Sequence, residues 1–341
     1  MSRENKLWRI TLDTNPEDCN YHCIMCEEHS RYSHFKENLL NNTGVARRCM
    51  PVEWLPAIFD QAARLGVSEI IPSTMGEPLL YAGIETFYQL AHQHRMKVNL
   101  TTNGSFPKKS MEEWSALIVP DTSDVKISIN GATKETSEKI MVGSNFNRQV
   151  DCIRQLVEYR NQHARRTGYY CRITLQLTFM QCNMQELADI VKMAAQLDVD
   201  RIKGHHLWTH FDEIQPLSMK FSTDSMALWN RYVDEARVAQ QRFRRPDGEM
   251  VKLENINYLR EQENDHVPAE SECPFLNREL WISATGNISP CCAPDHLRKS
   301  LGDFGNIKEK SLEEVMKGPL YQNLVAHYRE QELCQHCNMR R

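Results

Sequence analysis

The chain has 341 residues, 25% of them charged, with a formal net charge of −4. That length suits one large α/β barrel or two ordinary domains, and so small a net charge excludes a whole-molecule field that would recruit nucleic acid or an anionic membrane. No apolar run reaches the roughly 18 residues of a membrane span, and Met1-Ser-Arg-Glu-Asn-Lys6 lacks an apolar signal segment, so the expected location is the cytoplasm without membrane contact. In that reducing compartment twelve cysteines point to metal ligands or reactive thiols rather than to disulfides.

From Leu7 to about Trp208, β-branched runs alternate with amphipathic stretches, which predicts a parallel sheet with helices outside it. The first strand is Trp8–Asp13. Three cysteines follow in Cys19-Asn-Tyr-His-Cys23-Ile-Met-Cys26. An iron–sulfur cube usually takes four thiolates, so three on one short loop imply an iron with an open position; close cysteines also suit tetrahedral zinc. The irregular polar stretch Ser30–Arg48 predicts a long loop over this site. Next come a helix over Val52–Leu65 and a strand over Glu69–Ser73 that runs into Met75-Gly76-Glu77-Pro78.

Strand Lys97–Thr102 leads into Asn103-Gly104, and strand Asp124–Ile129, which includes Ser128, leads into Asn130-Gly131. After a helix over Asn147–Arg160, strand Arg172–Phe179 places Cys182 just beyond its end. Helix Met184–Leu197 follows, with Asn183 expected as N-cap and Glu186 as its capping-box partner. The sixth strand, Arg201–His206, carries His205 and His206 into Leu207-Trp208-Thr-His210. Six strands predict an open barrel, a partial (β/α)6 TIM-like fold, rather than a closed eight-stranded one. The helical run Ser222–Phe243 ends at Arg244-Arg-Pro-Asp-Gly248, and this turn sets the expected boundary between a barrel over 1–243 and a small C-terminal domain over 244–341.

That second region has its own cysteines: Cys273, then Gly286-Asn-Ile-Ser-Pro-Cys291, then Cys334-Gln-His-Cys337. Four thiolates can complete a cluster, or a zinc ribbon. Cys292 beside Cys291 leaves the second ligand ambiguous by one position. Of the remaining thiols, Cys49, Cys152, Cys171 and Cys182, Cys152 and Cys171 suit buried apolar positions, whereas Cys182 lies at the mouth of the predicted barrel.

The C-x3-C-x2-C run, the Met75-Gly76-Glu77-Pro78 segment at the end of strand two and the C-terminal cysteines together resemble the radical S-adenosylmethionine superfamily with a twitch domain, a shortened relative of the SPASM auxiliary-cluster domain. The resemblance departs from the family at Met25, where an aromatic residue is usual beside the adenine, and at Met75, where the family has glycine. It implies two 4Fe–4S clusters, one on Cys19, Cys23 and Cys26 and one on Cys273, Cys291, Cys334 and Cys337. Cys291 is preferred to Cys292 because it keeps the family's spacing from the glycine. S-adenosylmethionine would contact Met25, Gly76, Glu77 and Pro78, with Asn103, Ser128 and Asn130 as further ribose or carboxylate contacts. An external electron donor such as flavodoxin or ferredoxin is implied as well.

The expected chemistry is hydrogen abstraction by a 5′-deoxyadenosyl radical, most simply to dehydrogenate a small sugar-, cyclitol- or nucleoside-like molecule, because the family's shortened auxiliary domain occurs in an aminocyclitol alcohol dehydrogenase. Cys182 is the candidate hydrogen donor, and His205, His206, Trp208 and His210 are either substrate contacts or strand-end packing. Two other readings stay open: epimerisation or crosslinking of a ribosomal peptide, and a non-catalytic iron–sulfur carrier or zinc module.

Overall fold

The computed structural model describes residues 7–73, 75–260, 270–293, 295–337 and 339–340. Strands form where β-branched residues alternate with polar ones: β1 Arg9–Leu12, β2 Glu69–Ile71, β3 Lys97–Thr102, β4 Thr122–Ser128, β5 Arg172–Phe179 and β6 Arg201–His206. All six are parallel to their neighbours. The helices of this part of the chain are α1 Phe35–Thr43, α2 Leu55–Arg64, α3 Ile84–Gln93, α4 Met111–Ile118, α5 Lys134–Ile140, α6 Phe146–Thr167, α7 Leu187–Gln196 and α8 Thr223–Arg242.

Alternation assigns the two faces of the sheet. Val98, Leu100, Val125, Ile127, Ile173, Leu175 and Ile202 are fully buried and belong to the main apolar core with Phe59, Phe87, Ile153 and Ile190 of the helices. The opposite face turns inward and is polar. At the N-terminal ends of the strands its charges pair across neighbours: Arg9 with Glu69 and Glu279, and Arg201 with Asp124 and Glu254. These pairs fix strand register where the apolar face alone would tolerate sliding.

After the Arg244–Gly248 turn, β7 Lys252–Glu254 pairs in parallel with β6. Near the other edge, β8 Glu279–Ile282 pairs in parallel with β1, and β9 Ile288–Ser289 pairs antiparallel to β8. The described strands therefore form one sheet in the order β7-β6-β5-β4-β3-β2-β1-β8-β9. The cysteine-rich C-terminal region is joined to the barrel by backbone hydrogen bonds to β1.

Two local expectations are corrected. The stretch Ser30–Arg48 contains α1, which ends at left-handed Gly44 and buries none of its residues; a helix without an apolar stripe leaves no period for the sequence to display. Asn183 and Glu186 do not form a capping box. The Asn183 side chain instead accepts from Met180 N and donates to the Asn130 and Thr178 carbonyls. Glu186 reaches across to the start of α5, accepting from Ala132 N at 2.6 Å, Thr133 N at 3.1 Å and the hydroxyls of Thr133 and Thr136. Tertiary donors outcompete the local cap because they approach a half-dehydrated carboxylate from a neighbouring loop.

Glu186→Ala is expected to lower unfolding free energy by roughly 2–4 kcal/mol, because it strands two backbone N–H groups and two hydroxyls beside the end of β4. Urea denaturation of the variant checks this; a loss below about 1 kcal/mol would return Glu186 to an ordinary helix-start position.

Candidate cofactor and cluster site

The site is built at the C-terminal ends of β1 to β6, where a parallel barrel presents its functional groups. From β1 the chain runs through Asn15-Pro16-Glu17-Asp18 to Cys19. This entry is clamped to the segment after β2. Glu77 N donates to Asp18 O at 2.7 Å, and Asn15 Nδ2 donates to Glu77 O at 2.9 Å. Gly76 has φ +74, and a Cβ there would stand 2.4 Å from Asn15 O and 2.8 Å from Asp18 O. Only glycine combines that dihedral with so close a backbone approach.

The Glu77 side chain is fully buried, and both its oxygens are engaged: Oε1 accepts from Thr102 Oγ1 at 2.8 Å and Leu79 N at 3.1 Å, and Oε2 accepts from Asn103 N at 2.6 Å. Burial raises this carboxyl and the three donors offset part of the rise, leaving it at about 7. Asn103, held in turn, donates Nδ2 to Asn20 Oδ1 at 2.8 Å and to Cys19 Sγ at 3.7 Å. Pro78 is buried at the first position of a short 3-10 turn over Pro78–Leu80.

Cys19, Cys23 and Cys26 are each half-buried and lie close enough to act on one another's thiols. Burial raises all three thiols, Cys26 to about 11, with Cys26 and Cys19 adding to the rise of Cys23 and Cys19 to that of Cys26. The His29 N–H donates to Cys26 Sγ at 3.4 Å, and His29 Nε2 lies 2.8 Å from Pro16 O. Thiols that repel one another's ionisation are suited to a shared cationic centre, because coordination removes their protons outright. Among the described residues no three such groups converge on a single ion; a cube takes each thiolate on a separate iron corner and does not require that convergence.

Met25 packs with Cys19 and Cys23 against an apolar cluster of Tyr21, Ile140, Met141, Met180, Leu207 and Ile214. Cys182 joins the same cluster, half-buried, with burial raising its thiol. Ser128 and Asn130 sit at the end of β4. Asn130 is almost fully buried and its Oδ1 accepts from Thr178 N at 2.8 Å, which ties β4 to β5. Gln149 of α6, which sequence reasoning did not single out, holds the Asn103 and Ser128 carbonyls together through Nε2 at 2.6 and 2.9 Å.

The histidine group divides. His205 is exposed on the inward face of the sheet, its Nε2 3.4 Å from Thr178 Oγ1, and desolvation by the surrounding wall with Lys203 lowers its imidazole from the ordinary value. His206 points the other way, its ring 5.0 Å from that of Trp229 and 5.6 Å from that of Phe179. Trp208 and His210 are exposed, with ring centroids 6.3 Å apart.

In the C-terminal set, Cys273 accepts from Leu276 N and Cys291 from Ala293 N, both at 3.4 Å. Burial raises Cys334 to about 12, with Cys291, Cys273 and Cys337 adding to the rise. Cys292 feels Cys291, Cys337 and Cys273, and its hydrogen bond to Cys291 lowers the Cys291 thiol to about 7. All five sulfurs therefore share one neighbourhood, and within the adjacent pair Cys291 is the sulfur that accepts the Ala293 N–H.

Residues 16–173 match the family described as the radical SAM superfamily, and residues 273–338 match SPASM, an iron–sulfur cluster-binding domain. The chain belongs to the radical S-adenosylmethionine superfamily. The radical SAM and SPASM matches imply iron–sulfur clusters and S-adenosylmethionine as cofactors, and the donor sets around Cys19 and Cys273 fit them. Among curated proteins, the S-adenosyl-L-methionine-dependent tRNA 4-demethylwyosine synthase TYW1 of Xenopus laevis is 27% identical over 175 residues, 50% of this chain and 22% of that protein. The Danio rerio TYW1 is 29% identical over 143 residues, 41% of this chain and 18% of that protein. The chain thus spans only about a fifth of the length of these relatives. Among solved structures, Streptococcus suis SuiB bound to S-adenosylmethionine has a TM-score of 0.66 at 17% identity, over 98% of this chain and 71% of that one. The structure of anSMEcpe with bound AdoMet has a TM-score of 0.63 at 14% identity, over 97% and 83% of the two chains. These likenesses establish the radical SAM barrel with its SPASM extension as the fold.

Glu77→Gln, examined at pH 8 where the carboxylate is ionised, sets an amide donor against Asn103 N or against Thr102 and Leu79. The expected result is a loss of roughly 1–3 kcal/mol in the metal-free protein, read by denaturation, accompanied by weaker S-adenosylmethionine binding. Stability unchanged with cofactor binding lost would instead mean that the carboxylate turns outward to the ligand.

His206 gives a pH test. Burial lowers it to about 4 from an ordinary value of 6.5, so its neutral form stabilises the fold above pH 6.5 and that stabilisation is lost as pH falls toward 4. The size is roughly 3 kcal/mol by linkage. Denaturation midpoints between pH 7 and 4 should fall less steeply for His206→Phe than for the native protein.

Proposed function

We propose that this chain dehydrogenates a small polar molecule held inside its barrel, and thus acts as an oxidoreductase. The supporting observation is the inward face above the floor of ion pairs. Thr101, Lys126, Ser128, Gln176, Lys203 and His205 stand there in register on β3 to β6, a wall of hydrogen-bonding groups where an apolar or peptide-sized occupant would find little to match. The relatives differ in what they act on: SuiB has been solved bound to the precursor peptide SuiA, and TYW1 is named for tRNA. The polar barrel wall favours a sugar-, cyclitol- or nucleoside-like compound over either.

When bound, the cofactors supply an adenosyl radical that removes hydrogen from carbon and a second cluster that takes an electron. The protein's own groups do the rest. Cys19, Cys23 and Cys26 hold the first cluster, and Cys273, Cys291, Cys334 and Cys337 the second. Gly76, Pro78 and Asn103 shape the cofactor pocket, with Glu77 as the positioning residue beneath it, Met25 on its apolar side and Ser128 and Asn130 along β4. Loss of hydrogen and an electron from an alcohol carbon leaves one proton on oxygen. His205, facing inward beside Thr178, can accept it. Cys182, in the apolar cluster with Cys19, remains the thiol placed to return hydrogen if the product is redox-neutral. A cytoplasmic reductant such as flavodoxin or ferredoxin completes the proposal.

The test compares three anaerobically reconstituted proteins. The native protein should bind about eight irons and release 5′-deoxyadenosine on reduction. A Cys334→Ala/Cys337→Ala variant should keep about four irons and still release it, whereas a Cys19→Ala/Cys23→Ala/Cys26→Ala variant should not. In a metabolite extract, only the native protein should yield a product lighter by two hydrogens, with one cofactor consumed per product. Regenerated cofactor, or solvent hydrogen fixed at one product carbon, would overturn dehydrogenation; loss of that solvent label in Cys182→Ala would identify the donor.

A further inference from the structure

Two lysines stand at successive levels of the barrel wall. Lys126 of β4 is in register with Thr174 of β5, itself in register with Arg201 of β6, and Lys203 is the next inward-facing residue above Arg201. The cations around Lys126 are committed. Arg201 pairs with Asp124 and Glu254, Lys203 with Glu254 at 2.9 Å, and Arg9 with Glu69 and Glu279.

Among the described residues Lys126 has no ion pair and no hydrogen bond. Asp124 attracts it from two residues below, yet that carboxylate already accepts from Arg201 and from Thr174 Oγ1 at 2.7 Å. Burial lowers the Lys126 amine to about 8, with Lys203 and Arg9 adding to the effect, so the ammonium form still prevails at pH 7. The residue is nonetheless only half-buried, and the Lys203 side chain is 34% exposed. The space above the ion-pair floor is therefore open.

An ammonium partly withdrawn from water without a counter-ion costs stability. We propose that Lys126 anchors an anionic group, a carboxylate or a phosphate, carried by the small molecule that occupies the barrel. This rests on the reading that the substrate lies in the barrel interior. Lys126 is four residues, roughly 13 Å of strand, below Asn130. The anion would thus lie well below the strand ends where Asn103 meets Cys19.

Inorganic phosphate and succinate serve as probes, titrated by calorimetry into anaerobic protein carrying both clusters and S-adenosylmethionine. The expected result is one saturable site per chain for at least one probe, weakened about tenfold or more in Lys126→Met and unchanged in Lys134→Met on the exposed side of α5. Phosphate binding alone indicates a phosphorylated compound, succinate binding alone a carboxylate, and both a general oxyanion site; each supports the proposal. Absence of binding to the native protein, or equal binding to Lys126→Met, overturns it. The thermal midpoint of Lys126→Met should hold or rise by roughly 2–4 °C, because an unpaired charge is removed; a fall would mark the lysine as structural and also overturn the proposal. Neither readout requires turnover. Probe binding without oxidised product would fail the dehydrogenation reading and leave the anion site standing, and oxidised product without probe binding would do the reverse.

Discussion

The Glu77 junction is the constraint on which the site depends. Its backbone N–H and carbonyl hold Asp18 and Asn15 at the entrance to the cysteine loop, and its carboxylate holds Thr102 and Asn103 at the end of β3. One residue thereby fixes β2, β3 and the loop bearing Cys19. Desolvating this carboxylate is costly, and three donors are needed to offset the cost. Gly76 permits the contact at all, since any side chain there would strike the loop's carbonyls. With both carboxylate oxygens taken by Thr102, Leu79 and Asn103, Glu77 has the geometry of a strut between the end of β3 and the cysteine loop.

A second constraint is the polarity of the barrel's two faces. Helices cover the apolar outer face completely, and Arg160 is buried with it only because Asp200 at 2.7 Å and the Asp198 and Cys171 carbonyls take its donors. The inner face is closed at its N-terminal end by cross-strand ion pairs and left polar and half-open above. Apolar packing thus supplies stability outside, while the interior is free to carry polar groups such as Lys126 and His205 that the apolar core could not hold.

Much of this was legible because strand alternation and cysteine spacing are local signals. The ends of β3, β5 and β6 coincide with their sequence boundaries, and β4 begins two residues early at Thr122. What sequence could not display depends on partners far along the chain. Glu186 reads as a helix cap until Ala132 and Thr133 approach it, and Gln149 reads as one more polar helix position until it holds two carbonyls. His205 and His206 are neighbours in sequence but face opposite sides of the sheet, so one period-two step separates a site group from a packing group. The α1 helix left no trace because it buries nothing.

The placement of the two cysteine sets follows from β1. Its strand pairs β2 on one side and β8 on the other, so the loop to Cys19 and the segment leading to Cys291 spring from adjacent positions in one sheet. Charge binds them further. Arg48 donates through Nε to Glu17 at 2.8 Å beside the first loop, and Arg298 lies among Asp13, Cys291 and Cys292, where burial lowers its guanidinium and those acids and thiols raise it. Asp13 ends the β1 segment, with its N–H on Ile282 O at 2.9 Å. A shift of β8 against β1 would break the Arg9–Glu279 pair and carry Arg298 away from Asp13. The second set therefore has little freedom to move independently of the first: its position relative to the barrel is fixed by main-chain hydrogen bonds rather than by a linker.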